Sequence, residues 1–200
     1  MDKINISADF KKYQELFLNE NKKLNLISKN DEKFLFEKHI YDSLAIKLFF
    51  DKYKIISANI LDIGCGGGFP CVPIAIEFKN MQITGIDSIR KKINSINTIK
   101  EALKLNNLST VCDRVENLKN KKYDIITSRA VADLAKITAY ALPLLKKNGY
   151  FVAYKSKKAL EELENAKTVL KQFDAKVVDI INYQLPLEEI YERNLIIIKM

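Results

Sequence analysis

A glycine-rich turn between an apolar segment and a helix is the feature that most constrains the fold of this chain. The turn, Gly64-Cys65-Gly66-Gly67-Gly68, directly follows the apolar residues 59–63 and leads into Phe69-Pro70. Glycine lets the backbone approach a ligand closely and adopt positive φ, and proline suits the first turn of a helix. The sequence therefore predicts a strand, a tight turn and a helix, with a small molecule bound over the turn.

The segments around this turn alternate between strand and helix patterns. Strands are predicted over residues 59–63, 82–86, 110–113, 123–128, 149–154, 176–183 and 194–199. Helices are predicted over residues 70–78, 89–105, 132–142 and 157–173. This alternation is typical of a mostly parallel sheet with helices on both faces. The last two strands lack a helix between them, so we expect an antiparallel hairpin around Leu185-Pro186-Leu187. Asn148-Gly149 is expected to be the turn between a helix ending at Lys146-Lys147 and the fifth strand.

Two helices are predicted before the first strand. Apolar residues recur at spacings of three and four between Ala8 and Lys22, which gives the first helix one apolar face. The second helix is predicted over residues 31–52, with Asp31 as its N-cap. Its buried side is expected to carry Phe34, Ile40, Leu44 and Leu48. We therefore expect one domain over residues 1–200, with an N-terminal helical extension over residues 1–57 and a Rossmann-like core over residues 58–200.

The glycine turn and three carboxylates indicate what the ligand is. A dinucleotide fingerprint beginning at Gly64 would need glycine at the sixth position, which Phe69 occupies, so a bound pyrophosphate is disfavoured. Asp62 precedes the turn, Asp87 ends the second strand, where it could accept hydrogen bonds from ribose hydroxyls, and Glu116 follows the third strand. One such acid could simply cap a helix or face solvent. Three at consecutive strand ends favour a nucleoside ligand.

Several short motifs are more selective than the glycine turn. They are Lys38-His39-Ile40-Tyr41-Asp42-Ser43-Leu44, the Gly68-Phe69-Pro70 ending of the turn, Asp87-Ser88, Arg114-Val115-Glu116, Ser128-Arg129-Ala130 and Tyr154-Lys155. With these motifs the chain resembles, over nearly its full length, the RsmG (GidB) family of 16S ribosomal RNA guanine 7-methyltransferases. The resemblance implies an α/β fold of the class I S-adenosylmethionine-dependent methyltransferases, with a seven-stranded, mostly parallel sheet. It also implies S-adenosylmethionine as the cofactor and a guanine in the 530 loop of 16S ribosomal RNA as the substrate. The candidate cofactor-binding residues are Asp62, Gly64, Gly66, Phe69, Asp87, Ser88, Val115, Glu116 and Arg129.

The implied chemistry needs no general base. The 7-nitrogen of guanine carries a lone pair and no proton, so positioning and electrostatics can carry the reaction. No catalytic residue is therefore assigned, and His39 and Lys155 are candidates for the substrate pocket. His39 could alternatively be a helix-packing histidine bonded to Asp42. Arg129 could bind the cofactor carboxylate or a substrate phosphate, or form a surface salt bridge.

Charge favours an anionic partner. The chain has 33 Lys and Arg against 25 Asp and Glu, a formal net charge of +8. We expect phosphate contacts with 16S rRNA or the small ribosomal subunit. The candidate basic clusters are Lys22-Lys23, Arg90-Lys91-Lys92, Lys119-Lys121-Lys122, Lys146-Lys147 and Lys155-Lys157-Lys158. The last is favoured because it follows the end of a strand that flanks the expected substrate crevice.

Cysteine usage and hydropathy limit the remaining possibilities. Three cysteines without a CxxC pair and a single histidine indicate neither a disulfide framework nor a metal site. The sequence shows no signal-peptide pattern and no apolar segment of membrane-spanning length, so we expect a cytoplasmic protein without membrane contact. We also expect a monomer. Two alternatives stay open. One is a class I methyltransferase acting on a small molecule or a protein, and the other is a cofactor-binding ribosome assembly factor without transfer activity.

Overall fold

A computed structural model of the chain describes residues 7–119, 121–156 and 159–200. The helices in these residues are α1 (Ala8–Leu24), α2 (Lys29–Glu32), α3 (Asp42–Leu44), α4 (Ile46–Tyr53), α5 (Cys71–Glu77), α6 (Arg90–Leu103), α7 (Leu134–Ala141) and α8 (Ala159–Gln172). The strands are β1 (Ala58–Ile63), β2 (Met81–Asp87), β3 (Leu108–Cys112), β4 (Tyr123–Arg129), β5 (Leu145–Lys155), β6 (Lys176–Gln184) and β7 (Glu192–Lys199).

The strands form one seven-stranded sheet in the order β3-β2-β1-β4-β5-β7-β6. Every neighbouring pair from β3 to β5 is parallel, whereas β7 runs antiparallel to both β5 and β6. The chain moves outward from β1 through β2 to β3 and then returns to β4 on the other side of β1. Ligands of such sheets bind beyond the carboxyl ends of the strands at this switch point. The predicted fold class and the predicted terminal hairpin are confirmed.

The second predicted helix is interrupted, and its predicted N-cap is wrong. Ser28 caps the short α2 instead, because its Oγ accepts a hydrogen bond from the backbone N–H of Asp31 at 3.2 Å. The chain then forms a π-helix over Phe36–Tyr41 before α3 and α4. Ile40 and Leu44 are buried as predicted, whereas Phe34 and Leu48 are only half-buried.

Asn148-Gly149 does not form the predicted turn between a helix and the fifth strand, because both residues lie within β5. Helix α7 ends at Ala141, and β5 already begins at Leu145, so Lys146-Lys147 belong to a strand. Asn148 adopts a positive φ of 64° within β5, next to an irregular pairing of β4 with β5. Its backbone N–H donates to the Met200 carbonyl at 3.2 Å, which ties the chain terminus to this bend.

Two apolar cores lie on the two faces of the sheet. On one face, aromatic side chains of α1 pack in the same cluster as residues of α5 and α6, including Phe10, Tyr13, Phe17, Ile74 and Ile96. The other face packs against α7 and α8. The division into a helical extension over residues 1–57 and a core over residues 58–200, forming one domain, stays a prediction that this shared core supports. Residues 1–6 lie outside the described part of the chain.

Candidate active site

Two cavities open at the carboxyl edge of the sheet and share Ala132 in their walls. The glycine-turn cavity, of about 290 Å³, is lined by Gly64, Asp87 and residues following β3. The arginine cavity, of about 490 Å³, is lined by Arg129, His39 and residues of the terminal hairpin. Both lie at the switch point, where the topology places ligand sites.

The glycine-turn cavity brings together five of the predicted cofactor-binding residues. They are Gly64, Asp87, Ser88, Val115 and Glu116. The Asp87 carboxylate is fixed by the backbone around it, because Oδ2 accepts from Gly66 N–H at 3.0 Å and Oδ1 accepts from Ile89 N–H at 2.8 Å. The cavity therefore holds a carboxylate at its rim with apolar side chains, Ile137 among them, in its wall.

Asp62 lies beneath the turn and lines neither cavity. Its side chain is fully buried, and its two oxygens accept hydrogen bonds from Cys71 N–H at 3.2 Å and Thr127 Oγ1 at 3.0 Å. Burial raises the pKa of Asp62 to about 7, against the hydrogen bonds from Thr127 and Cys71. In this arrangement Asp62 anchors the turn to α5 and β4. Its predicted cofactor contact stays a prediction.

Phe69 faces the N-terminal helical segment. Its ring centroid lies 4.9 Å from that of Phe17 and 5.1 Å from that of His39. The guanidinium carbon of Arg129 lies 5.1 Å from the same ring. Phe69 therefore joins the end of the glycine turn to the wall of the arginine cavity, and a direct cofactor contact by Phe69 stays a prediction.

Arg129, at the end of β4, is held by three acceptors from the helical segment. Its Nη1 donates to Asp42 Oδ2 at 2.8 Å and to the Lys38 carbonyl at 3.2 Å, and its Nη2 lies 3.0 Å from His39 Nδ1. The side chains of Arg129 and Asp42 are only 14% and 5% exposed, so this ion pair is not at the surface. Asp42 also accepts from the Tyr183 hydroxyl at 2.7 Å. The interpretation of Arg129 as a surface salt bridge is therefore wrong.

His39 lines the arginine cavity, but Arg129 rather than Asp42 is its partner. Because a guanidinium can only donate, His39 Nδ1 accepts and Nε2 carries the ring hydrogen. That Nε2 is buried without a partner among the described residues. Burial, and then the charge of Arg129, lower the pKa of His39 to about 4. The alternative interpretation, a helix-packing histidine bonded to Asp42, is therefore wrong in its partner.

Lys155 also lines the arginine cavity, and its ammonium group is already paired. Nζ donates to Glu162 Oε2 at 2.6 Å and to the Ala132 carbonyl at 2.8 Å. The same Glu162 oxygen accepts from Leu134 N–H at 2.9 Å, at the start of α7. Lys155 thus positions the cavity wall, which agrees with a pocket role more than with a free phosphate contact. The other members of its predicted basic cluster, residues 157 and 158, lie outside the described residues.

A short segment after β4 separates the two cavities. Ala130 lines the arginine cavity and adopts a positive φ of 56°, and Val131 lines the glycine-turn cavity. A Cβ atom placed on Gly64, whose φ is 68°, would lie only 2.5 Å from Val131 Cγ2. The absence of a side chain at Gly64 therefore lets this segment close against the turn.

Comparison with known proteins shows which family the chain belongs to. A family model described as rRNA small subunit methyltransferase G matches residues 6–193. The chain belongs to the rRNA small subunit methyltransferase G family. Its relatives in this family include the ribosomal RNA small subunit methyltransferase G of Staphylococcus saprophyticus, 42% identical over 193 residues that cover 94% of this chain and 80% of the relative. The protein of the same name from Bacillus licheniformis is 40% identical over 195 residues, covering 95% and 80%.

A solved structure supports the fold assignment alone. The crystal structure of coclaurine N-methyltransferase bound to N-methylheliamine and S-adenosylhomocysteine superposes with a TM-score of 0.59. It covers 99% of this chain and 89% of that chain at 11% sequence identity. This similarity confirms the class I methyltransferase fold. The assignment of rRNA as the substrate rests instead on membership of the family. As a member of the rRNA small subunit methyltransferase G family, the chain is an rRNA methyltransferase.

The structure adds residues to the site of this family member that the sequence did not single out. Asp42 lies in the motif at residues 38–44, but nothing in the sequence indicates that it is the partner of Arg129. The terminal hairpin also contributes to the site, 141 residues or more after Asp42. The Tyr183 hydroxyl donates to the Asp42 carboxylate, and Tyr191 and Arg193 line the arginine cavity. No periodicity in the sequence indicates so distant a contact.

None of the described helices is long and apolar enough to cross a membrane, and the described residues contain no cluster of three potential metal ligands.

Proposed function

We propose that this chain transfers the methyl group of S-adenosylmethionine to the 7-nitrogen of a guanine in the 530 loop of 16S rRNA. The observation that carries the proposal is the pair of adjoining cavities at the switch point. One is suited to a nucleoside, and the other is lined by four cations that are each paired with a carboxylate. Membership of the rRNA small subunit methyltransferase G family supports the rRNA substrate. Beyond the family, we propose the identity of the base, guanine methylated at its 7-nitrogen, and its position in the 530 loop.

The glycine-turn cavity fits the nucleoside half of the cofactor. Asp87 is half-buried at its rim and would accept hydrogen bonds from the ribose hydroxyls, while Val115 and Ile137 offer apolar contacts to the adenine. Gly64 and Gly66 adopt positive φ, which glycine does without strain, and their lack of side chains leaves the turn open where the amino-acid half would lie. The cofactor, when bound, supplies an electrophilic methyl group on a sulfonium.

The arginine cavity is suited to hold the base without deprotonating it. His39 cannot act as a base there, because Nδ1 accepts from Arg129 and Nε2 carries a hydrogen. The low pKa of about 4 keeps its ring neutral at physiological pH. A nucleophile with a free lone pair and no proton, such as guanine N7, fits a cavity of this kind. Arg129 and Lys155 are then positioning residues that hold the walls.

The two alternatives make different predictions for transfer. A methyltransferase of small molecules or proteins would carry the same glycine-turn cavity, but the family of this chain favours rRNA. An assembly factor would bind the cofactor and the ribosomal particle without transfer. The family of this chain, whose members are named rRNA small subunit methyltransferase G, favours an active enzyme.

Transfer of a labelled methyl group to small ribosomal subunits from cells lacking this gene tests the proposal. We expect incorporation at guanine, at a rate that changes little between about pH 6.5 and 9, because the 7-nitrogen of guanine carries no proton that a general base would have to remove. Binding of both cofactor and subunits without incorporation would favour the assembly factor. A parallel reaction with deproteinised 16S rRNA shows whether the particle is required.

We also propose that the chain works as a monomer in the cytoplasm, where its ribosomal substrate lies. One chain supplies the walls of both cavities. Sedimentation of the purified protein at assay concentration should give the mass of a single chain.

A further inference from the structure

An aromatic ring lies beside two cations in the wall of the arginine cavity. Tyr191 follows the turn between β6 and β7 and is 36% exposed. Lys38 Nζ lies 5.5 Å from the centroid of its ring, and the guanidinium carbon of Arg193 lies 5.9 Å from it. Both distances are within the range of cation–π contacts. We call this group of three side chains, Tyr191, Lys38 and Arg193, the tyrosine platform.

We propose that the tyrosine platform stacks on a nucleotide adjacent to the target guanine and neutralises its phosphate. This inference rests on the proposed function, because it takes the arginine cavity as the place of the target base. A base that enters such a cavity must leave the stack of its neighbours. The neighbouring base then has an uncovered face, and aromatic side chains commonly cover such faces in protein–RNA complexes.

The platform is held from two sides of the cavity. On the hairpin side, Leu185 is buried and its N–H donates to the Tyr191 carbonyl at 3.1 Å, which closes the turn. On the helical side, Lys38 Nζ donates to Asp31 Oδ1 at 2.8 Å. Arg193 Nε lies 3.7 Å from Asp42 Oδ1, the carboxylate that also binds Arg129. Because these contacts hold the two cations and the backbone of Tyr191 in place, stacking requires less further loss of conformational freedom.

The charges around the platform favour RNA that approaches the cavity opening over RNA that crosses the hairpin tip. Lys38 and Arg193 line the cavity, whereas Glu188 and Glu189 are exposed on the turn beyond it. The acidic pair repels phosphates at the tip, whereas at the opening a phosphate would meet two cations and would compete for them with their carboxylate partners, Asp31 and Asp42. The base would stack on the part of the Tyr191 ring that the two cations leave exposed, and its phosphate would lie beside the cations.

Steady-state methyl transfer to small ribosomal subunits measures the contribution of the ring. Tyr191→Ala should raise KM for the subunit about tenfold, within the range for loss of one base–aromatic stack, and change kcat less than about twofold. KM for S-adenosylmethionine should not change. Tyr191→Phe should keep the wild-type KM, because the ring face is retained. An unchanged KM for the subunit in Tyr191→Ala would overturn the proposal.

A neighbouring apolar residue provides the matched control. Ile190 is 78% exposed and directly precedes the platform. Ile190→Ala should leave KM unchanged if stacking is the interaction. An equal increase of KM in Ile190→Ala and Tyr191→Ala would indicate general apolar contact and would also overturn the proposal.

A fluorescence measurement tests stacking without transfer. The chain contains no tryptophan, so Tyr191→Trp introduces a single indole at the platform. Protein-free RNA with the 530-loop sequence should quench its emission saturably. Ile56→Trp is the control, because Ile56 is 81% exposed and precedes β1 at the opposite edge of the sheet, and it should show no saturable quenching.

The two measurements separate the platform from the proposed function. Absence of saturable quenching with both protein-free RNA and whole subunits would overturn the platform. A wild-type protein that binds RNA through the platform but transfers no methyl group would contradict only the proposed function. Normal transfer with unaltered KM in Tyr191→Ala would contradict only the platform.

Discussion

Arg129 and Asp42 form a 2.8 Å ion pair where the N-terminal helical segment meets the carboxyl end of β4. The second oxygen of Asp42 accepts from the Tyr183 hydroxyl at 2.7 Å, so one carboxylate joins α3, β4 and β6. These contacts set the wall of the arginine cavity. The N-terminal helical segment is thereby part of the candidate active site rather than an appendage to it.

Removing the guanidinium should therefore affect both stability and transfer. Arg129→Ala leaves Asp42 buried without its closest cation, and we expect the free energy of unfolding to fall by about 3 kcal/mol. Methyl transfer should fall far more than in His39→Asn, which removes only one acceptor of Arg129. Urea denaturation and initial rates at saturating cofactor measure the two effects. Wild-type stability in Arg129→Ala would show that the pair contributes as little as an exposed one.

The pKa of His39 gives a second prediction, on stability against pH. Its folded value of about 4 is below the unfolded value of about 6.5, so the neutral ring is favoured in the fold. The stability associated with the neutral ring is present above pH 6.5 and is lost as pH falls towards 4, by up to about 3 kcal/mol. Asp62, with a pKa raised to about 7, has the opposite effect and stabilises the fold as pH falls from 7 towards 4.

The contribution of His39 is therefore measured as a difference between proteins. Wild type and His39→Asn both contain Asp62, so the effect of Asp62 cancels in their difference. The stability of His39→Asn relative to wild type should rise as pH falls from about 6.5 to 4. Parallel stability curves for the two proteins across this range would show that His39 titrates normally.

Asp87 gives a third prediction, on cofactor affinity. Asp87→Ala should weaken S-adenosylmethionine binding by about 1–3 kcal/mol, because ribose hydroxyls would lose their acceptor. It should also lower stability modestly, since the carboxylate accepts from Gly66 and Ile89 N–H groups. Asp124→Ala is the matched control: Asp124 also accepts from a backbone N–H, that of Asn59 at 2.9 Å, but at the amino edge of the sheet. Calorimetry should show weaker binding in Asp87→Ala alone, and equal affinities would assign Asp87 a purely structural role.

The sheet and the glycine-turn cavity could both be predicted from the sequence, because both depend on local signals. Apolar strands and turn signals are local, and topology then brings the ends of neighbouring strands together, so Gly64, Asp87 and Glu116 could be placed at one site. The burial of Asp62 could not be predicted, because it depends on the partner Thr127 from β4, 65 residues away. The contact of Asp42 with Tyr183 spans 141 residues and has no local signal. The π-helix at residues 36–41 likewise follows from tertiary packing that no apolar period in the sequence encodes.

A fourth prediction concerns the contact of the glycine turn with the segment after β4. Gly64→Ala should destabilise the protein more than Gly66→Ala, although both residues adopt positive φ. Both variants lose about 1–2 kcal/mol from the left-handed backbone. Only the Gly64 methyl group would also meet Val131 Cγ2, at 2.5 Å, whereas the nearest atom to a Gly66 methyl group is 3.8 Å away.

A double variant isolates that steric contact. Val131→Ala combined with Gly64→Ala should recover most of the extra loss of thermal stability. Val131→Ala combined with Gly66→Ala should recover none. Equal melting temperatures for the two glycine variants would show that the segment after β4 moves away from the turn without penalty.

The position of the methyl group on 16S rRNA tests the central claim most directly. Small-subunit rRNA from cells with and without this gene, and from subunits methylated in vitro by the purified protein, can be mapped by chemical cleavage at 7-methylguanine and by mass spectrometry of nuclease fragments. The account predicts one 7-methylguanine in the 530 loop that is absent without the gene and restored by the purified protein with S-adenosylmethionine. Methylation only at an exocyclic amine, a ribose hydroxyl or a pyrimidine carbon would contradict the account.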